Sequence, residues 1–319
     1  MPVKPYISQE SATGYSEQDV EPIVTTEPLA VPDSTEKNDF NAIPEPPKGK
    51  SDVDFNDPNQ ISVTIEDQTT PIVILFGPPS CGKTMTMIRM TRWLNRKGYN
   101  VEPVHSFRPT GDTNYRNMCD SFNALVGDDK RANSTNNIQF MLLKVYSKGN
   151  PICQILEAPG ELYFDPQKPN ANYPAYLNTI QDNCNNRKVW CVFVEPDWMN
   201  LSDRDNYVNR IKRLKTKLRP YDKVVILHNK IDKTQYVIGP GHVNEAQSIK
   251  SVSDSYKGLF ELFENPVPVV RLFKKYLCSY IPFQTGSYSS TTMGVETFQE
   301  GPDEYCHKLW EAILSSIRG

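Results

Sequence analysis

Apolar residues along this chain concentrate in short unbroken runs, and amphipathic or polar stretches lie between them. Residues 72–76, 189–194 and 223–227 form such runs, which are typical of strands buried on both faces of a parallel sheet. Residues 138–146 and 151–156 flank a turn of sequence Ser-Lys-Gly-Asn, a pattern that predicts an antiparallel hairpin. The chain therefore carries at least five predicted strands.

Between these runs, hydrophobic residues recur near the helical period of 3.6. The pattern predicts helices over residues 83–97, 115–126, 173–185, 201–218, 244–263 and 303–317. Weaker patterns suggest a short edge strand at 61–65, a strand or loop at 99–107, and apolar segments of unassigned type at 269–276 and 278–283. Together these elements predict a three-layer α/β fold, with a mostly parallel sheet, one antiparallel hairpin strand and helices on both faces. Ligands of such sheets bind beyond the carboxyl ends of the strands.

A phosphate-binding loop follows the first of these strands. Gly77, four further residues, and then Gly82-Lys83-Thr84 match the phosphate-loop signature in its strand–loop–helix context. Backbone N–H groups and the helix N-terminus favour phosphate oxygens, Lys83 reaches the β- and γ-phosphates, and the Thr84 hydroxyl is a ligand for Mg²⁺. The alternative is an ordinary glycine and proline turn before a helix. The predicted phosphate-binding residues are Gly77, Pro78, Pro79, Ser80, Cys81, Gly82, Lys83 and Thr84.

Composition separates a leader from the body of the chain. Residues 1–60 hold twelve acidic residues, four basic residues and nine prolines, which gives a charge of −8, whereas the whole chain of 319 residues carries −3. Such a segment cannot bury enough apolar surface to offset its ordering entropy, so a disordered, acidic, proline-rich leader over 1–60 is predicted. It is either a plain solvated tail or the carrier of a partner-binding segment. The body, residues 61–319, is predicted to be one domain.

Several classes of function are excluded by composition. The seven cysteines form no CxxC pair, which argues against a zinc site or a disulfide framework and favours a reducing, cytoplasmic location. No apolar run approaches the ~20 residues of a membrane span, and neither end carries a common lipidation signal. The mildly basic body is too weakly charged to predict nucleic-acid binding.

A second motif, Asn229-Lys230-Ile231-Asp232, follows the apolar run at 223–227. With the phosphate loop, it makes residues 70–319 resemble the G domain of P-loop GTPases, whose base-reading motif is Asn-Lys-x-Asp. Guanine presents two adjacent donors that one buried carboxylate, Asp232, accepts, whereas adenine would leave that carboxylate unpaired. The resemblance implies that Asn229 contacts the far edge of the base and that the Lys230 stem packs over the ring. The alternative is a capping Asn and Asp in a loop.

A third motif of that family, Asp-x-x-Gly, corresponds to Glu157-Ala158-Pro159-Gly160. The resemblance implies that Glu157 orients Mg²⁺ and that the Gly160 N–H senses the γ-phosphate. Glu157 is one methylene longer than the family's Asp. Glu161 stands where many hydrolytic members carry a Gln that orients the attacking water, so slow hydrolysis is expected. The candidate catalytic residues are Glu161 and the phosphate-loop lysine, Lys83.

Two further family features have weaker counterparts. The mobile threonine that closes on Mg²⁺ matches Thr135 by position, with Ser134 and Thr113 as alternatives. The short loop that contacts the base after the last strand matches Thr285-Gly286. Cys81 lies at a helix N-terminus that lowers a thiol pKa, which would permit redox gating, or it is a small residue that fills the loop.

The resemblance implies a divergent G domain with room for insertions between Thr84 and Glu157 and between Asp232 and Thr285. The leading hypothesis is a regulatory GTPase that uses GTP or GDP and Mg²⁺ and acts on a protein effector. In that hypothesis the triphosphate orders residues 108–137 and 157–172, and hydrolysis releases them. The alternative is a nucleotide-binding structural or adaptor subunit of a larger assembly with negligible turnover. A third is an ATP-dependent kinase or ATPase in which the Asn-Lys-x-Asp string is coincidental.

Overall fold

The computed structural model describes residues 57, 60–127, 140–196, 200–290 and 296–319. All of these residues belong to one compact unit, Asp52–Gly319. The predicted leader lies outside the described residues except for Asp57 and Gln60, so its character stays a prediction.

The described chain alternates strands and helices along most of its length. The strands are β1 Ile72–Phe76, β2 Tyr99–Pro103, β3 Met141–Ser147, β4 Asn150–Glu157, β5 Lys188–Val194, β6 Lys223–His228, β7 Val237–Gly239, β8 His242–Val243, β9 Cys278–Pro282, β10 Gly286–Ser290 and β11 Glu296–Glu300. The α-helices are α1 Lys83–Arg96, α2 Thr113–Gly127, α3 Gly160–Tyr163, α4 Ala175–Asn183, α5 Leu201–Lys215, α6 Glu245–Ser255, α7 Pro268–Arg271 and α8 Asp303–Arg318. Short 3-10 turns cover His105–Phe107, Ile231–Lys233 and Glu261–Phe263.

Seven strands form the central sheet in the order β2-β3-β4-β1-β5-β6-β9. Strands β4, β1, β5, β6 and β9 run parallel, whereas β3 pairs antiparallel with both β4 and β2. This arrangement confirms the predicted α/β fold with its mostly parallel sheet and antiparallel hairpin strand. Two small hairpins, β7–β8 and β10–β11, lie outside it.

The centre of the sheet is buried because its strands are apolar throughout. Every residue of β1 and β5 is buried, which requires cover on both faces. The Phe76 ring lies 6.1 Å from that of Trp190 and stacks 6.2 Å from that of Tyr207 on α5. This packing fixes the carboxyl end of β1, where the phosphate loop begins.

Helix α1 is joined to the C-terminal part of the domain by an ion-pair network around a buried arginine. Arg89 is only 1% exposed and contacts Glu300 at 2.7 Å and Asp303 at 2.6 Å. Arg96 pairs with the same two carboxylates from a more exposed position. The helix that follows the phosphate loop is thereby tied to β11 and α8.

Two predictions about local structure were wrong. Residues 61–65 form no strand, and Thr64 N–H instead donates to the Phe107 carbonyl. The helix predicted to extend to residue 263 ends at Ser255, where Tyr256 leaves the helical conformation with φ −119° and ψ 70°. A turn that contains Gly258, with a left-handed φ of 82°, follows. The apolar segment 269–276, whose element type the sequence pattern left open, begins within the helical turn α7.

Candidate functional site

The phosphate-loop sequence forms a tight turn between β1 and α1. Gly82 has a left-handed φ of 89°, and a Cβ there would lie 2.4 Å from Asn229 Nδ2. A Cβ on Gly77 would lie 2.8 Å from the Phe193 Cβ. Among the described residues, the N–H groups of Ser80 and Thr84 donate to no other backbone group. The loop therefore needs both glycines and presents free N–H groups at a helix N-terminus, which suits an anion.

Lys83 folds back over the loop that precedes it. Its Nζ donates to the Gly77 carbonyl at 3.1 Å and to the Pro78 carbonyl at 2.8 Å, and lies 3.8 Å from Cys81 Sγ. The side chain is only 5% exposed. The ammonium is thus held at the loop as a fixed positive charge, which is the electrostatic requirement for binding a polyphosphate.

Glu157, the last residue of β4, reaches the first turn of α1. The Thr84 hydroxyl donates to Glu157 Oε1 at 2.9 Å. Burial raises the pKa of Glu157, and the nearby Lys83 charge opposes that effect. Glu157 Oε2 is buried and accepts no hydrogen bond within the part of the chain that the structure describes. A hydroxyl and a carboxylate with an unused oxygen are the hard donors that Mg²⁺ prefers, so the residues present fit this ion.

Two tyrosines extend this buried polar region. The hydroxyls of Tyr163 and Tyr176 have no hydrogen-bond partner among the described residues, and burial together with the Glu157 charge raises both pKa values well above the ordinary range. Nothing in the sequence pattern distinguished these tyrosines from ordinary core residues.

Gly160 lies directly against the phosphate loop. A Cβ on this residue would be 2.1 Å from Pro79 N and 2.2 Å from the Pro78 carbonyl carbon. The backbone of residues 157–160 therefore approaches the loop more closely than any side chain would permit. The adjacent Glu161 is exposed, at the start of α3.

The second motif also contacts the phosphate loop, although the partners lie 148 and 150 positions apart in the chain. Asn229 Nδ2 donates to the Cys81 carbonyl at 2.8 Å, and Lys230 Nζ donates to the Ser80 carbonyl at 3.0 Å. Lys230 adopts a left-handed φ of 57°. Asn229 is buried, and its Oδ1 has no partner among the described residues.

Glu195 is a site residue that the sequence analysis missed. It follows β5, is buried, and pairs with Lys230 Nζ. Its backbone N–H and carbonyl both bond to the Tyr256 hydroxyl, at 3.2 and 2.9 Å. Glu195 therefore positions Lys230. An acidic residue at the carboxyl end of a buried strand was the available signal.

Asp232 is exposed, whereas a buried carboxylate was expected. It lies on the 3-10 turn beyond β6, and no hydrogen bond to its carboxylate is found in the described part of the chain. The neighbouring Ile231 N–H donates to the Phe283 carbonyl at 3.1 Å, which brings the chain after β9 alongside this turn. Thr285 and Gly286 come next, and Gly286 pairs with Glu300 in the β10–β11 hairpin.

Two other expectations concern the Cys81 thiol and the threonine proposed to close on Mg²⁺. The Cys81 thiol does not have a lowered pKa: burial raises it to about 11, which outweighs the Lys83 charge. Thr135 and Ser134 lie outside the described residues, so their role stays a prediction. Thr113 is exposed at the first position of α2.

The comparisons with known proteins give distant structural likenesses. No protein-family model matches the chain. No curated protein matches its sequence. The nucleolar GTP-binding protein 1 of Plasmodium falciparum is similar to it with a TM-score of 0.38 and 14% identity over 81% of this chain and 90% of that one. The Roco2 RocCORdC structure from Methanosarcina barkeri, bound to GDP, has a TM-score of 0.29 and 10% identity over 80% of this chain and 51% of that one. Neither likeness is close enough to carry an argument about function.

Proposed function

We propose that this chain binds guanine nucleotides with Mg²⁺ and acts as a regulatory GTPase with slow hydrolysis. The observation that carries the proposal is the convergence of two distant motifs on one loop. Thr84 bonds to Glu157, Gly160 packs on Pro79, and Asn229 bonds to the Cys81 carbonyl. An ordinary glycine and proline turn offers no reason for these contacts.

In this proposal the phosphates bind the loop N–H groups and the Lys83 ammonium. Thr84 and Glu157 would hold Mg²⁺, which supplies positive charge against the phosphate oxygens. Asn229 keeps the base-reading turn joined to the phosphate loop, and Glu195 orients Lys230 toward the same loop. The exposed Asp232 is available to accept both guanine donors.

The expectation of slow hydrolysis depends on Glu161, the residue proposed to lie beside the γ-phosphate. A carboxylate at Glu161 repels the γ-phosphate, while it can still orient or deprotonate water. The same feature favours the second candidate function, a nucleotide-binding subunit of a larger assembly with negligible turnover. We also propose that the chain acts in the cytoplasm, which its seven unpaired cysteines support. No helix of the described residues has the length and apolar character needed to cross a membrane.

The test is a comparison of nucleotide affinities. The wild-type chain is expected to prefer GTP and GDP to ATP, and Asp232→Asn is expected to weaken guanine binding and to favour xanthine nucleotides, because the amide donates where the carboxylate accepts. Asp254→Asn, at an exposed position of α6, is the matched control. Equal affinities for GTP and ATP would refute the base assignment.

A second variant tests the phosphate loop itself. Lys83→Ala is expected to abolish triphosphate binding, with the thermal midpoint as a check on folding, and retained affinity would contradict the proposal. Turnover measured with and without Mg²⁺ distinguishes the two candidate functions. GTP that is bound and not hydrolysed over hours would favour the assembly subunit.

A further inference from the structure

A loop on the side of the domain away from the nucleotide site is held out from the body. Phe263 and Asn265 pair with the other end of the loop, through Leu277 N–H to the Phe263 carbonyl at 2.7 Å and Asn265 N–H to the Lys275 carbonyl at 2.9 Å. The loop leads into the amino end of β9, whereas the candidate site lies at the carboxyl ends of the strands. The segment between the paired ends, residues 266–274, is called the 266–274 loop below.

Most of the apolar side chains of this loop face solvent. Phe273 is 90% exposed, Leu272 is 83% exposed and Val269 is 68% exposed. Val267 and Val270 are also largely exposed, at 50% and 44%. The short helix α7 shapes the loop, because Phe273 N–H and Lys274 N–H both donate to the Val270 carbonyl. An apolar cluster concentrated on one projecting loop is a sign of an interaction surface.

The charges on the loop itself are positive, whereas Glu261 and Glu264 lie near Lys275 at its base. Residues 265–277 contain Arg271, Lys274 and Lys275 and no Asp or Glu. Glu264, at the base of the loop, is paired with Arg271 at 3.4 Å. The Lys275 ammonium lies 5.0 Å from the centre of the Tyr276 ring, which is half-buried below the loop.

We propose that the 266–274 loop inserts its apolar side chains into an anionic membrane surface, while its lysines contact the lipid headgroups. Lysine is depleted from the centres of protein–protein interfaces, and here two lysines directly follow the most exposed aromatic residue. At a bilayer surface, lysine stems cover apolar area while their ammonium groups remain at the headgroups. Anionic lipids then supply the negative charge that the loop lacks.

The experiment is vesicle flotation with the full chain, using phosphatidylcholine alone and phosphatidylcholine mixed with phosphatidylserine. The wild-type chain is expected to float with the anionic vesicles, and more weakly as salt is raised. Lys274→Glu combined with Lys275→Glu is expected to weaken binding by about thirtyfold or more. The matched charge control is Lys212→Glu with Lys215→Glu, at exposed positions of α5.

The apolar contribution is tested separately. Leu272→Ser with Phe273→Ser is expected to abolish flotation and to leave the thermal midpoint unchanged, since these side chains contact solvent. Ile238→Ser, at a residue of β7 that is 72% exposed, is expected to have no effect. Absence of wild-type binding, or equal losses in the control variants, would overturn the proposal. So would loop-dependent self-association in sedimentation equilibrium without vesicle binding, because the loop would then be a protein interface.

Discussion

The close contact between Gly160 and the phosphate loop makes Gly160→Ala the sharpest test of the site. The added Cβ would lie 2.1 Å from Pro79 N and 2.2 Å from the Pro78 carbonyl carbon. Both are backbone atoms of the phosphate loop, so neither moves as freely as the end of a side chain. Gly160 is not among the glycines with a left-handed φ, and the cost therefore comes from the close approach alone.

The expected loss of stability in Gly160→Ala follows from these distances. Real Cβ contacts stay beyond about 3 Å, so the backbone around residue 160 must retreat from the loop by about 1 Å. Overpacking of this kind costs about 1–3 kcal/mol. The free energy of unfolding is expected to fall by this amount. If the Gly160 N–H meets the γ-phosphate, the affinity for GTP falls by about 5- to 150-fold and more than the affinity for GDP.

The assay combines urea denaturation with titrations of fluorescent GTP and GDP analogues. Gly111→Ala is the matched control, because no atom lies within 4 Å of the Cβ that it adds. Equal stability and equal affinities in the two variants would refute the reasoning. An equal loss for GTP and GDP would preserve the steric argument and refute the role in sensing the γ-phosphate.

The remaining predictions concern buried groups away from that contact. Burial lowers the pKa of His228 to about 4, below its ordinary 6.5, so the unfolded chain binds the proton first as pH falls. The His228 contribution to the free energy of unfolding is therefore complete above pH 6.5 and falls by about 3 kcal/mol as the pH drops to 4. Urea denaturation at several pH values should show this decrease, and His228→Asn should remove it. Arg89→Met is expected to lower the free energy of unfolding by about 1.5–3 kcal/mol, because the buried guanidinium's hydrogen bonds to Asp303 and to the Gly301 carbonyl are lost. Arg96→Met, at a position 45% exposed, should cost less than about 1 kcal/mol. The buried Cys81 thiol, with its pKa raised to about 11, is expected to resist alkylation at pH 8 until urea unfolds the chain; rapid labelling in peptide mass spectra would contradict this.

Much of the fold could be predicted from local pattern. The apolar runs at 72–76 and 189–194 are strands because unbroken apolar segments need cover on both faces. The wrong predictions of secondary structure lie where the local sequence pattern and contacts with distant parts of the chain favour different structures. Residues 61–65 alternate like a strand and still form none. The helix predicted to reach residue 263 stops at Ser255, with glycine 258 shortly after it.

The site was predictable in its motifs and not in its contacts. Glycine spacing identified the phosphate loop, and the Asn-Lys-x-Asp string identified the turn after β6. Glu195 was missed because a single acidic residue after a strand has no distinguishing spacing. Of the two interpretations of Cys81, burial disfavours redox gating through a lowered pKa, because it raises the thiol pKa to about 11.

The sequence by itself determined the features that depend on neighbouring residues. These are the turn at Gly77–Gly82, the periodicity of the helices and the burial of the central strands. Only the tertiary structure decided the strand order, the Thr84–Glu157 hydrogen bond, the pairing of Glu195 with Lys230 and the exposure of the 266–274 loop. The physical reason is that a contact between residues 73 or 148 positions apart depends on how whole elements pack, and no local pattern records that packing.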